Sequence, residues 1–484
     1  MKQLDQYLEH NFKKIYWGML AAAMVVYAVF SLKAPVWADE AYTFALIRHG
    51  YADIWTITAA DSHPPLFYFF MKFFAAPFGY NLMVSRMVAA IPCLLLMAVG
   101  GWQLRKLFNT RTGLLFMLLY FLYPYLMDYA VEVRMYSLAE LLIFLNALYA
   151  YRCWKWNKPK DWVIFALAGT GAALTHYFAL VSAGLIYAVL LLTILFGNKK
   201  LLKGWAIASA ITILLYLPWL GNLISQLIFK ANNEYWIAPI TLSTLVGYVR
   251  DVFYTGAMQA YFLFLGAAYA IAFVMLLVSR DKKIIGPCLC ALAIPLGTVA
   301  VGVIASIILR PVFVLRYVVP SLPLAVFFFS VVLGQLSSEM LFSSLLTVCI
   351  IGGLSNFTVT VKNAIIPDPE RLTVARVEQF PECDAYVVIC GNELHASQEL
   401  CYCDPVTPVY TSELLGPDNP YPNRVDYATF RPEENPSIIL VLKENEMVPE
   451  EYLEHYTADF LCTVNVSGAY ESLWHLTQAD TVQD

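Results

Sequence analysis

Nearly uncharged runs of about 20 residues recur along most of this 484-residue chain, at 15–32, 82–104, 113–127, 136–152, 162–175, 177–196, 205–221, 257–278, 284–307, 318–335 and 340–360. In hydrocarbon every backbone N–H and C=O must be satisfied internally, so runs of this length are read as membrane-spanning helices. About eleven spans follow. The first, 15–32, is too long for a cleaved leader and lacks a small-residue cleavage site, so it is expected to be retained. With 60% of residues hydrophobic and 14% charged, the chain falls in the polytopic α-helical membrane class, and no nucleic-acid partner is expected.

Charge then orients the spans. Up to residue 361 there are 25 Lys and Arg against 14 Asp and Glu, and beyond it 6 against 22. Lys13/Lys14, Arg105/Lys106/Arg111, Arg152/Lys155/Lys158/Lys160, Lys199/Lys200/Lys203 and Arg280/Lys282/Lys283 all fall on one side of these spans, which the positive-inside bias makes cytoplasmic along with the N-terminus. The other face receives Asp39, Glu40, Asp53, Asp61, Asp128, Glu132, Glu234 and Asp251. An odd span count also puts the tail outside. There the strand-like runs 385–389 and 437–442 alternate with helix-compatible stretches such as 449–456. The expectation is a multi-pass membrane domain over 1–360, a linker at 363–370 containing Pro367 and Pro369, and a small extracytoplasmic α/β domain over 361–484. The outer loop 223–255, with Tyr235, Trp236 and Pro239, reads either as an interfacial helix pair or as a substrate gate.

Polar residues cluster at the outer boundary. Trp37-Ala38-Asp39-Glu40-Ala41-Tyr42 and Asp61-Ser62-His63-Pro64-Pro65-Leu66-Phe67-Tyr68 bracket what reads as an active-site loop. A carboxylate partly out of water can serve as a general base, although a solvated acidic pair would read the same way in isolation. Two prolines hold Asp61 and His63 in a rigid entry to the next apolar segment, or simply start a helix. Arg134, in Glu132-Val133-Arg134-Met135-Tyr136-Ser137, stands at an outer helix start, where it could clamp a phosphate or snorkel to lipid. Glu140 lies one turn further in, most simply as a partner for Arg134. His176, in Thr175-His176-Tyr177, occupies a tight outer hairpin, as a structural residue or as a functional one. Arg310 and Arg316 run against the inside bias of basic residues, and holding a phosphoryl group supplies a reason. No phosphate-cradling glycine pattern and no zinc-type spacing is present, which disfavours a nucleotide-sugar donor.

Together these motifs, with Leu315-Arg316-Tyr317 and Pro320, resemble the protein O-mannosyltransferase-like family of GT-C glycosyltransferases, which includes the bacterial aminoarabinose transferases of lipid A. The likeness covers roughly residues 10–335. It implies a GT-C fold and inverting transfer of a sugar from a polyprenyl-phosphate donor to an envelope lipid, glycopolymer or protein at the outer face of the cell membrane. The tail matches nothing in the eukaryotic O-mannosyltransferases, so a protein acceptor gains no support. The resemblance makes Asp39 the general base, with Glu40 orienting it or the donor sugar. Tyr42, Asp61, His63, Tyr68, Tyr136 and His176 would line the sugar or acceptor pocket. Arg134, Arg310 and Arg316 would hold the leaving phosphate. No cofactor is obligatory on this reading, although carboxylates beside a phosphate also suit Mg²⁺ or Mn²⁺.

Two rivals remain at the level of sequence. A flippase or transporter would place its ionisable residues at mid-bilayer depth, whereas here they gather at one boundary. A membrane-anchored sensor explains the acidic tail and leaves the outer motifs idle. Of ten cysteines, Cys383, Cys390, Cys401, Cys403 and Cys462 lie in the tail, where an oxidising compartment would permit disulfides.

Overall fold

The computed structural model describes residues 1–32, 36–232, 237–253, 261–279, 282–366, 368–413, 416–417 and 419–479. Glu234, Tyr235, Trp236, Thr255, Arg280 and Pro367 lie outside the described residues, as do the side chains of Asp128, Lys282 and Lys283. The helices are α1 (Lys2–Ser31), α2 (Ala38–Arg48), α3 (Tyr51–Ala60), α4 (Leu66–Ala75), α5 (Leu82–Leu107), α6 (Thr110–Phe121), α7 (Pro124–Ala130), α8 (Tyr136–Trp156), α9 (Pro159–Ala173) and α10 (Tyr177–Phe196). They continue as α11 (Leu202–Asn232), α12 (Leu242–Phe253), α13 (Tyr261–Ser279), α14 (Lys282–Ile308), α15 (Leu322–Gly334), α16 (Glu339–Ile365), α17 (Val374–Val377), α18 (Glu393–Cys403) and α19 (Glu450–Leu453). The strands are β1 (Ala385–Val388), β2 (Val409–Thr411), β3 (Arg424–Asp426), β4 (Ser437–Lys443), β5 (Tyr456–Val466) and β6 (Ala469–Gln478). The chain separates into two compact units, residues 1–31 with 62–362 and residues 32–61 with 363–484.

The first unit is helical, and among the described residues each apolar run of the sequence lies largely on helix. Among the described residues, six segments are individually long and apolar enough to cross a membrane: 2–31, 82–107, 177–196, 199–228, 284–308 and 315–334. Four further apolar helices among these residues are shorter. The run 113–127 is interrupted after Phe121, because Pro124 starts α7 and cannot continue α6. Close helix approach depends on missing side chains: a Cβ on Gly113 would lie 2.4 Å from the Gly101 carbonyl oxygen, so α5 and α6 meet backbone to backbone.

Several of the basic residues that set the expected orientation are built into one end of this unit. Arg111, at the start of α6, pairs with Asp5 of α1 at 2.8 Å and donates to the Leu336 carbonyl at 2.7 Å. Arg105 pairs with Glu9, and Arg152 of α8 pairs with the fully buried Asp161 of α9 at 3.1 Å. Glu140 accepts its hydrogen bond from Tyr120 of α6 at 2.6 Å, not from Arg134 as expected, because a neutral hydroxyl one helix away is the nearer donor.

The second unit is an α/β sandwich on a six-stranded sheet of order β3-β2-β1-β4-β6-β5. β1 pairs in parallel with β2 and β4, and β6 runs antiparallel to both β4 and β5. Alternate residues serve the two faces. Tyr386, Val388, Ile439 and Val441 pack with Leu400 and Cys401 of α18, while Ala385, Val387, Ile438 and Leu440 pack with Phe430 and Tyr452. All ten cysteines are free thiols, contrary to the disulfides the tail would have allowed. Cys390 and Cys401 are buried as small hydrophobes, and burial pushes each thiol up to about 12, away from the thiolate that disulfide exchange needs.

Residues 32–61 join this second unit. The expected active-site loop is instead two short helices, and the stretch divides at Asp61/Ser62, with Asp61 in one unit and Ser62 in the other. Ala, Glu, Leu and Arg make 38–48 a good helix, with Asp39 and Glu40 in the first turn, where anions complement the helix dipole. Ala45 packs on the α18 face of the sheet, Phe44 meets the Tyr402 ring at 5.5 Å, and His49 Nε2 lies 2.8 Å from the Pro420 carbonyl oxygen.

Candidate active site

In the helical unit, four sequence-distant motifs converge at the end away from Arg105, Arg111 and Arg152. Pro64 and Pro65 are buried, and the Leu66 N–H that follows donates to the Leu174 carbonyl at 3.0 Å, pinning the start of α4 to the end of α9. His176 comes two residues after Leu174 and caps α10: its Nδ1 accepts the Phe178 N–H at 3.1 Å. Nδ1 is then an acceptor, so in neutral imidazole the proton sits on Nε2.

Rings surround His176. Its centroid is 6.4 Å from His63, 5.8 Å from Tyr136 and 5.1 Å from Tyr317. Tyr317 stacks at 5.0 Å on Phe178, and Tyr136 meets Tyr129 edge-on at 4.8 Å. His176 is 3% exposed and Tyr136 2%, so water has little access to the cluster. The elements explain the placing: Tyr136 opens α8, His176 caps α10, and Tyr317 sits in a short 3₁₀ turn, 315–321, that packs on both helices.

The arginines enter through the same elements. Arg134 precedes α8 in a tight turn where its N–H donates to the Glu132 carbonyl at 2.7 Å, and its side chain is buried. Arg316 is half-buried beside Tyr317. Arg310 lies half-buried just beyond the end of α14, and Tyr68 is fully buried in α4. A guanidinium stays ionised when buried, so acceptor oxygens must offset its desolvation, and a phosphate offers several in the right plane. Arg86, 1% exposed in the first turns of α5, belongs with these buried cations; an arginine inside the apolar run 82–104 is its sequence signal.

The carboxylates belong to the second unit. Glu40 is 3% exposed, Asp39 half-buried and Tyr42 buried, all in the first half of α2. Asp61 is half-buried and caps the end of α3, its N–H bonded to Ile57 O at 3.0 Å. Trp37, the residue before α2, offers no side-chain cap; the Ala38 N–H instead donates to the Ser467 hydroxyl at 3.3 Å. Phe44 and Arg48 of the same helix, with His49 just beyond it, help line a cavity of about 220 Å³ closed by Tyr402 and Tyr421. A larger cavity of about 300 Å³ in the helical unit is lined by Leu104, Phe108, Tyr151 and Thr193, at the other ends of α8 and α10 from the His176 cluster, and is almost entirely apolar. Among the described residues, no three His, Cys, Asp or Glu side chains gather as a metal site.

Residues 62–221, which include His63, Arg134, Tyr136 and His176, match the model of the dolichyl-phosphate-mannose-protein mannosyltransferase family. Among solved structures, ArnT from Cupriavidus metallidurans in its apo state is similar with a TM-score of 0.66 at 15% identity, covering 94% of this chain and 97% of that one. The same ArnT bound to undecaprenyl phosphate gives 0.64 at 14% identity with the same coverage. No curated protein matches the sequence. The chain thus has the fold of the GT-C membrane glycosyltransferases and, across residues 62–221, matches the dolichyl-phosphate-mannose-protein mannosyltransferase family.

Proposed function

We propose that this protein transfers a sugar from a polyprenyl-phosphate carrier to a hydroxyl of an envelope acceptor, with inversion at the anomeric carbon. The observation that carries the reading is the water-poor cluster around His176, into whose elements Arg134 and Arg316 are built. The binding of undecaprenyl phosphate by the similar ArnT supports the choice of carrier.

On this reading the acceptor oxygen attacks the anomeric carbon, and the bond from that carbon to the phosphate oxygen breaks with its electron pair going to the phosphate. Polyprenyl phosphate leaves with an added negative charge, which Arg134 and Arg316 are suited to hold, with Arg310 in support. Asp39 takes the acceptor proton, and Glu40 keeps Asp39 or the donor sugar in register. Tyr42, Asp61, His63, Tyr68, Tyr136 and His176 orient sugar and acceptor, with Nε2–H of His176 as a hydrogen-bond donor to a sugar oxygen. No step requires a metal. The orientation proposed is the one the basic clusters favour: N-terminus cytoplasmic, with residues 361–484 and the His176 end of the helical unit outside.

The test is to incubate purified protein with a panel of labelled polyprenyl-phosphate sugars and envelope acceptors. Release of polyprenyl phosphate together with a glycosylated acceptor supports the reading; transbilayer movement of intact lipid-linked sugar with no bond broken overturns it.

A further inference from the structure

The acidic tail holds the first turn of α2 by a device that its sequence does not advertise. Glu399, in the middle of α18, is 1% exposed. Ser467, at the tip of the β5–β6 hairpin, donates its hydroxyl to Glu399 Oε1 at 2.5 Å and accepts the Ala38 N–H at 3.3 Å. The backbone N–H groups of Ser467 and Ala38 also favour the ionised Glu399 carboxylate. Ala38 is the first residue of α2, and Asp39 and Glu40 follow it directly. A buried carboxylate and a hydroxyl therefore stand where a side-chain cap would, at the positive end of the helix dipole.

Two features show that this contact is kept against local preference. Ser467 has φ +47° and Gly468 φ +96°, a two-residue hairpin turn that Asn-Gly or Gly-Gly would form with less strain. Neither of those residues would present a hydroxyl to Glu399 and Ala38 together. Glu399, for its part, has no hydrogen-bond partner on Oε2 among the described residues, and burial holds its carboxyl up at about 7 even though Arg371 pulls it down. The other ionisable groups facing this spot are Cys403 on the same helix and Tyr421, which also feels Asp39.

We propose that Glu399 and Ser467 are positioning residues that set the placement of Asp39 and Glu40, making the C-terminal domain a working part of the catalytic apparatus. This rests on Asp39 being the base. Ionised Glu399 grips the start of α2 more firmly than the neutral acid does, so its ionisation governs turnover without touching substrate.

The test uses the full chain in lipid nanodiscs, comparing wild type with Glu399→Gln, Ser467→Ala and Ser467→Gly. Hydrogen exchange of amides 38–43 reads the contact, and transfer kinetics read its consequence. Ser467→Ala and Glu399→Gln should speed exchange at 38–43 about 10-fold while leaving β1 and β4 protected. The same variants should lower kcat about 10-fold with the donor KM within about twofold, since misplacement acts on the transition state. Glu399→Gln should also remove the inflection near neutral pH from the kcat profile. Ser467→Gly relieves the turn strain, so a fall in kcat with an intact or stabilised sheet cannot be ascribed to unfolding. Unchanged exchange at 38–43, or faster exchange with unchanged kcat, overturns the proposal. An Asp39→Asn variant that retains full transfer while Ser467→Ala still loosens 38–43 overturns the base assignment itself, a different failure from the first.

Discussion

Replacing Glu399 by Gln should change how the stability of the second unit depends on pH. The carboxyl is raised from the ordinary 4.5 to about 7 because burial disfavours its charge. Between those two values the unfolded chain releases the proton while the folded chain keeps it, so stability falls as pH rises from about 4.5 to 7 and is flat beyond. The interval corresponds to about 3 kcal/mol for a group this deeply buried. Glutamine keeps the shape and does not titrate, so the stability of the variant relative to wild type should rise by about 3 kcal/mol between pH 4.5 and 8. For a unit of this size that is a change of roughly 6–12 °C in the gap between melting temperatures. Glu471, also held up at about 7 by burial, contributes the same slope to both proteins and cancels in the comparison. The assay is thermal unfolding of the full chain in nanodiscs from pH 4.5 to 8.5, followed by exchange protection of 385–388 and 437–443. Parallel pH curves for the two proteins would refute the reasoning. A variant that gains stability at neutral pH while losing turnover would show that the native glutamate is retained for function at a cost to the fold.

Other substitutions probe the helical unit. Arg134→Ala should weaken binding of undecaprenyl phosphate about 10- to 100-fold, the range for a charged hydrogen-bonding group, and Arg134→Lys should not restore it because the planar fork is lost; unaltered affinity in a lipid-binding assay would remove Arg134 from the phosphate site. His176→Ala should cost about 1 kcal/mol through loss of the α10 cap, and His176→Asn should recover that stability without recovering transfer; recovery of both in the Asn variant would make His176 purely structural. Gly113→Ala places a Cβ 2.4 Å from the Gly101 carbonyl oxygen and should destabilise the α5–α6 packing by about 1–3 kcal/mol, read as a lower melting temperature in detergent with transfer per folded molecule unchanged.

Much of the helical unit could be read from the sequence because hydrocarbon leaves an apolar backbone one solution. The motifs around His63, Arg134, Tyr136, His176 and Arg316 were legible as a set because polar residues at the edges of apolar runs are conspicuous, and the structure brings their elements together around His176. What sequence could not show were contacts made only in the folded chain. Residues 32–61 look like a loop between spans, and nothing local reveals that Ala45 and Phe44 of α2 pack against the tail. Glu399 looks like one more acid in an acidic domain, and its burial follows only from the way α18 lies on the sheet. Arg134 and Glu140 are close in sequence and opposite in charge, yet Glu140 is taken by Tyr120 across a helix interface.

The proposed reaction breaks the bond to the anomeric carbon with Asp39 as the base. The most direct measurement is single-turnover transfer by Asp39→Asn from a labelled polyprenyl-phosphate sugar, with donor binding followed in the same preparation. Donor binding should be intact and transfer reduced about 100- to 10,000-fold, the range for loss of a general base. Near-normal transfer by Asp39→Asn would contradict it.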